Sequence, residues 1–324
     1  MSWLIIIAIA YLLNAVAAVV DKYLLSKAIP QPAVYAFFIS FLGIIALVLA
    51  PFGFAVPAAG QIIVGLLAGL VFTFALLYLF KALKQNDASR ITPFIGGWQP
   101  LFIFILAWLF LGEQLAPAEI LAFFMLIAGT VLITKEFGRQ KKKARLNEQA
   151  RQGGFGLAVI SAGLFAVSYV LTKEVYLNQE FISGFIWTRL GAFAGALLLL
   201  IPQANRRAIL ASFKKPEEER SAPPPSPPPA SWRGGRRKTG GLFIGGQIVG
   251  ALSFLLVNYA ISLTSVSLVN ALQGLQYVFL LFMVFFLSKF YPKALKEKMT
   301  KAIVWQKVGA IVLIGAGLAL LAFT

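Results

Sequence analysis

The chain has 324 residues, 59% hydrophobic and only 13% charged, with 29 Phe and a mean hydropathy of +0.83. Soluble domains run nearer about 45–50% apolar and about 25% charged, so the excess apolar surface requires lipid. Cys and His are absent, which excludes disulfides, thiol nucleophiles, Cys/His zinc sites and histidine proton relays. The net charge of +17 lies in loops between apolar runs, pointing to an anionic membrane surface and not to nucleic acid.

A hydrocarbon core of about 30 Å takes roughly 20 apolar residues of helix. Ten such runs, bounded by charge, Pro or Gly, are predicted at Trp3–Val20, Pro32–Phe54, Gln61–Phe80, Ile91–Leu111, Ala118–Thr134, Phe155–Leu171, Phe181–Ile201, Leu242–Ile261, Ser267–Leu287 and Ile303–Ala322. The first lacks a basic leader and ends on Asp21-Lys22 where a cleaved signal peptide would carry small residues, so it reads as a span. Residues 135–154, KEFGRQKKKARLNEQARQGG, form a basic linker between a first unit (1–134) and a second (155–324). Within the second, residues 202–241 are Pro-rich with few apolar groups to pack, which predicts a disordered loop. It reads as an unselected cytoplasmic loop; a proline-recognising partner or anionic lipid is the other reading.

Of the 29 Lys and Arg, 26 fall in odd-numbered connections. Lys173 is alone in the even ones, and Arg189 and Lys307 lie within spans. This bias predicts a multi-pass plasma or inner-membrane protein with odd loops cytoplasmic and both termini external.

The halves show an ordered self-similarity. Asn14-Ala-Val-Ala-Ala-Val-Val-Asp-Lys22 lies over Phe165-Ala-Val-Ser-Tyr-Val-Leu-Thr-Lys173, Leu42-Gly43 over Leu190-Gly191, and Gly97-Trp98-Gln99 over Gly274-Leu275-Gln276. Five spans per half is an odd number, so the halves must have opposite orientations. The expected fold is an all-α integral membrane protein of ten transmembrane helices in two inverted five-helix repeats, an architecture that commonly places a substrate site at the midplane.

At these residues the chain resembles the drug/metabolite transporter superfamily, and within it the EamA-type ten-helix transporters. The resemblance is clearest around the fourth span: Ala82-Leu83 and Ala88-Ser89 before it, Gln99-Pro100-Leu101-Phe102 within it, and Leu111-Gly112-Glu113-Gln114-Leu115 at its exit. Lys22, Lys173 and Arg189 also look like family positions. In the second half the family Pro falls at Tyr277, its Leu-Gly-Glu region reads Leu287-Ser288-Lys289-Phe290, and Phe41 stands opposite Arg189 in the repeat. Family members are often drawn with both termini cytoplasmic, contrary to the charge bias here.

A charge in hydrocarbon costs roughly 2.5–3.5 kcal/mol on insertion scales, so each one asks for a reason. Arg189 lies well inside its span, either as an anion clamp or as a structural arginine reaching outward to Glu174 or Glu180. Lys307 sits close enough to an end to snorkel. Asp21, Glu113 and Glu119 fall at helix ends, so proton coupling through a buried carboxylate is not expected. Pro93, Gly96, Gly97 and Pro100 give the fourth span the means to break.

Candidate substrate-binding residues are therefore Asn14, Trp98, Gln99, Tyr169, Arg189, Asn258, Asn270, Gln273, Gln276 and Tyr277; Tyr259 is a further pocket candidate. Gln273, Gln276 and Tyr277 share one helix face, either as a pocket wall or as interhelical hydrogen-bonding groups. Gly65/Gly69, Gly191/Gly195 and Gly246/Gly250 have GxxxG spacing for close helix packing, within the chain or in a homodimer. No HExxH, mid-span aspartate pair or Ser-His arrangement supports an intramembrane enzyme. The expected activity is secondary transport of a small organic metabolite by alternating access, with membrane lipids as surroundings and without cofactor, metal or nucleic acid. A lipid-carrier flippase or channel-like protein is the alternative.

Overall fold

Backbone surrounded by hydrocarbon has no water to bond, so apolar runs satisfy their own N–H and C=O groups as helices. The computed structural model describes residues 2–24, 31–85, 88–134, 148–213, 235–290 and 301–323. Helix α1 is Ser2–Leu24; α2, Pro32–Phe41, continues directly into a 3₁₀ segment, Leu42–Phe52. Then come α3 (Ala59–Gln85), α4 (Ala88–Leu111), α5 (Pro117–Thr134), α6 (Glu148–Asn178), α7 (Phe181–Leu198) and α8 (Gln203–Phe213). The chain closes with α9 (Gly235–Leu263), α10 (Val266–Ala271), α11 (Gly274–Phe290) and α12 (Lys301–Phe323), and the described residues contain no strand.

Eight helical segments are long and apolar enough to cross a membrane, counting α2 with its 3₁₀ continuation and α10 with α11 as one each. Helices α1 and α9 contribute shorter apolar stretches, Trp3–Ala18 and Ile248–Leu263. The fold is that of an all-α membrane protein. Its outer surface is apolar, with Ile5, Ile9, Leu121, Phe124, Trp305 and Val312 exposed, as a lipid-facing surface requires. The interior joins Ile7, Ile103, Phe123, Leu268 and Ile314 from both halves of the chain into one core.

Small residues set how closely the helices approach. Helix α3 is held between α6 and α7, α1 runs along α9, and α5 runs along α12. In the α3–α7 seam a Cβ added to Gly69 would stand 1.9 Å from the Thr188 carbonyl oxygen, and one added to Gly191 would stand 2.2 Å from that of Leu66. Two of the three GxxxG pairs thus face each other within one chain. Thr73 Oγ1 donates across the same seam to the Ala192 carbonyl at 3.1 Å. Serine hydroxyls cross the neighbouring seams: Ser161 to Ala75 O (2.9 Å), Ser168 to Ala68 O (2.8 Å) and Ser253 to Ala10 O (2.8 Å).

Three sequence expectations change. The segment 202–241, expected to be disordered, carries helix α8 over Gln203–Phe213 and the start of α9 from Gly235; residues 214–234 lie outside the described residues. Ile209 of α8 is fully buried and Arg206 and Arg207 are exposed, so amphipathic patterning wins over the Pro-rich composition farther along. Likewise α6 begins at Glu148, inside the basic linker, whose residues 135–147 lie outside the described residues.

The third change concerns broken helices. Helix α4 runs unbroken through Gly96, Gly97 and Pro100, and the interruption falls instead at Leu272–Gln273, between α10 and α11. The turn there is tightened by i→i+3 bonds, Gln273 N to Asn270 O (3.2 Å), Leu275 N to Leu272 O (2.9 Å) and Gln276 N to Gln273 O (3.1 Å). A Cβ on Gly274 would lie 2.2 Å from Thr130 Oγ1 and 3.2 Å from Ile314 Cδ1. The start of α11 is therefore pressed against α5 and α12, and that tertiary contact, with no proline, accompanies the break.

Candidate functional site

Helix α7 carries its arginine at mid-length. Arg189 lies eight residues from Phe181 and nine from Leu198, about 12 Å from either end at about 1.5 Å per residue. Its guanidinium carbon stands over the rings of Phe254 (4.4 Å), Phe72 (4.8 Å) and Phe185 (5.8 Å), contributed by α9, α3 and α7. Its Nε is buried with no hydrogen-bond partner. The outward reach to Glu174 or Glu180 is not made: among the described residues no carboxylate pairs with Arg189, and Glu174 accepts from Asn178 Nδ2 at 2.9 Å. Each cation–π contact is worth about 0.5–2 kcal/mol, against roughly 2.5–3.5 kcal/mol for a charge at depth. The rings hold the charge inside the helix bundle but provide no anion.

Polar groups extend from this point across four more helices. Tyr169 and Tyr176 of α6 are within electrostatic reach of the guanidinium. Tyr176 donates its hydroxyl proton to Asn258 Oδ1 at 3.1 Å, and Asn258, only 2% exposed, donates to Phe254 O at 2.9 Å. Tyr11 of α1 is within electrostatic range of Tyr169 and Tyr277, and its hydroxyl donates to Val269 O at 2.9 Å. Asn14 Nδ2, one turn along, donates to Gln276 Oε1 at 3.2 Å. The result is a buried polar belt of phenols and amides joining α1, α6, α7, α9 and α11 beside one cation.

Of the ten sequence candidates, Asn14, Tyr169, Arg189, Asn258, Gln276 and Tyr277 belong to this belt. Gln99 is buried on α4 and Asn270 bonds its own helix at Val266 O (2.8 Å). Gln273 sits half-buried at the helix interruption. Trp98 is 46% exposed and stacks between Phe94 and Phe102 at 6.0 and 5.7 Å, on the outer surface of α4. Tyr259 is part-exposed and meets Phe181 edge to face at 5.0 Å. Tyr11 and Tyr176 are additions; each is a phenol inside an apolar run, the same signal that singled out Tyr169. Phe72, Phe185 and Phe254 carried no such signal, since nothing local distinguishes them among 29 Phe.

One end of the belt is closed by backbone capping. Lys173 Nζ donates to the carbonyls of Ile261 (2.9 Å) and Thr264 (2.8 Å) at the C-terminal end of α9. Beside it the Ser265 hydroxyl donates to Glu113 Oε1, and Ser265 Oγ accepts from Leu268 N at 2.9 Å, capping α10. The Leu-Gly-Glu exit of α4 is thereby tied to the corner between α9 and α10. These ties join the two halves of the chain, and with them the family signature acquires a structural role. Residues 1–135 match the EamA-like transporter family.

A solved crystal structure of another protein is 19% identical, covers 98% of this chain and 96% of its own, and superposes with a TM-score of 0.62. That likeness shows a common fold over nearly the whole chain. No curated protein matches the sequence. The family match over residues 1–135 and the fold shared over nearly the whole chain are consistent with the drug/metabolite transporter superfamily. The EamA-like family is one of transporters rather than enzymes. Among the described residues no group of three or more acidic or metal-ligating side chains gathers to hold an ion.

Proposed function

We propose that the protein is a secondary transporter of a small organic metabolite, working by alternating access about a midplane site, with ten spans arranged as two inverted five-helix repeats. The observation that carries the site is the mid-span guanidinium, its Nε partnerless and with no carboxylate beside it among the described residues, bordered by the phenols and amides of five helices. A charge held this deep without a protein counter-ion is arranged for an anionic group on a solute, which a planar guanidinium engages edge-on.

Reciprocal packing supports the repeat. A Cβ on Gly129 would meet Ala310 O at 3.1 Å and Ile314 Cγ1 at 2.5 Å, whereas one on Gly317 would meet Ala122 O at 3.1 Å and Leu126 Cγ at 3.0 Å. Positions 122, 126 and 129 thus correspond to 310, 314 and 317, as a two-fold axis between α5 and α12 demands. The α3–α6 and α1–α9 pairings exchange under the same operation.

A counterflow screen in proteoliposomes over organic anions, amino acids, sugars, nucleotides and quaternary amines tests the activity. Exchange of at least one class is expected, with Arg189→Gln abolishing it for any anionic substrate. Lipid scrambling without exchange of any solute would overturn the reading in favour of a flippase. The orientation proposed is odd loops cytoplasmic and termini external. A cysteine introduced at Lys142 should therefore resist an impermeant thiol reagent in intact cells; rapid labelling from outside reverses the topology.

A further inference from the structure

We infer that the substrate carries one negative charge on an apolar or aromatic body: a monocarboxylate-class solute, in preference to dicarboxylates, nucleotides, zwitterions or organic cations. The inference rests on the transport reading above and narrows it by counting charge at the site. Arg189 is the charged side chain at the middle of its span among the described residues. Lys173 is committed to the α9 carbonyls at one end of its helix, and Glu113 to Ser265 at the exit of α4. One carboxylate on a bound solute satisfies the guanidinium. A second carboxylate, or the extra charges of a nucleotide, would remain in low dielectric with no cation to face, because no other described basic group is available at that depth. A zwitterion or amine fails for the complementary reason: among the described residues its ammonium finds phenols and amides but no carboxylate, and it repels the arginine.

The surroundings fix the body of the molecule. The guanidinium already lies over the faces of Phe72, Phe185 and Phe254, and Tyr169 beside it stacks on Phe165 at 6.4 Å. A solute bound to this guanidinium enters surroundings whose described neighbours are aromatic rings, where a hydroxylated sugar acid would leave hydroxyls unpaired against Phe. Beyond the rings, the Tyr176–Asn258 pair offers one polar contact to the distal end of the solute.

Wild-type protein suffices for the test. Proteoliposomes loaded with radiolabelled phenylacetate are diluted into phenylacetate, acetate, phenylmalonate, phenylalanine, phenethylamine or glucuronate. Counterflow is expected with phenylacetate, with every other probe weaker by at least about tenfold. Phenylmalonate isolates the second charge, acetate the missing ring, and phenethylamine the sign. Arg189→Gln should lose the phenylacetate response, and Phe254→Leu should weaken phenylacetate while leaving its ratio to acetate smaller. Counterflow driven by phenethylamine, phenylalanine or phenylmalonate as well as by phenylacetate overturns the monoanion assignment and leaves the transport reading standing. Absence of exchange for every solute class, in protein that is monodisperse and scrambles lipid, removes the transport reading itself.

Discussion

Helices α3 and α9 correspond to each other in the proposed repeat, with Gly65, Gly69 and Tyr78 opposite Gly246, Gly250 and Tyr259, yet they are packed differently. Helix α3 is gripped on two sides, by α6 and by α7. Helix α9 is gripped by α1, but among the described residues it has no matching seam with α2, the counterpart of α7. At Gly69 an added Cβ meets backbone at 1.9 Å; at Gly250 it meets only Ala17 Cβ, at 3.7 Å. One glycine is therefore in use and its counterpart idle. Under the proposed alternating access such asymmetry would define one of two related states, the other being obtained by exchanging the roles of the halves. Phe72 of α3 and Phe254 of α9 both stand against Arg189, so either seam, by moving its helix, reshapes the wall around the guanidinium.

The largest expected effect separates the two glycines directly. Gly69→Ala forces backbone apart and should destabilise the protein by about 3 kcal/mol, read as a large fall in thermal midpoint in detergent. Gly250→Ala meets ordinary contact and gains helix propensity, so its stability should stay within about 1 kcal/mol of wild type. Equal losses at both positions would mean that the difference between the seams does not hold in the membrane. A cross-link then asks whether the idle seam ever closes. With no native Cys, Leu42→Cys, at an exposed position beside Gly43, combined with Gly250→Cys gives a pair free of background thiols, and a disulfide needs Cα atoms roughly 4.4–6.8 Å apart. Cross-linking should be slow in the resting protein, accelerate during turnover and arrest transport reversibly. A pair that never cross-links while transport proceeds breaks the proposed exchange.

The all-α membrane fold and the family resemblance are readable from sequence because hydropathy and the Gln99-Pro100 and Leu111-Gly112-Glu113 signatures are local properties of the chain. Arg189 was readable for a similar reason: a charge in an apolar run is conspicuous wherever it packs. The rings around it were not, since their choice depends on which of many Phe three separate helices bring together. Prolines and glycines give α4 the means to break, yet it runs unbroken. Pro100 removes one backbone donor without ending α4, whereas the turn at Leu272–Gln273 accompanies the contact of Gly274 with Thr130 and Ile314, residues of two other helices. Composition indicates where a helix can yield. Long-range packing decides where it does.

The smallest effect concerns the hydroxyls that cross the two gripped seams. Helix α6 donates twice to α3, through Ser161 to Ala75 O and Ser168 to Ala68 O, whereas among the described residues the corresponding α1–α9 seam has one such serine bond, from Ser253 to Ala10 O. Interhelical hydrogen bonds of this kind average only about 0.6 kcal/mol, because the separated helix finds other partners in the membrane. Ser253→Ala should therefore cost about 0.6 kcal/mol, and the Ser161→Ala, Ser168→Ala pair about 1.2 kcal/mol, measured as shifts in a reversible steric-trap or denaturant titration. Since the two serines sit two turns apart on α6, their losses should add. Additive losses on the α3 side, with transport preserved, would show that the hydroxyls hold the seam without gating it, leaving the glycine contact as the element that opens and closes. If instead Ser253→Ala alone slowed exchange several-fold at unchanged stability, the α1–α9 seam would be moving too, and the glycine contact would not be the one element that opens and closes.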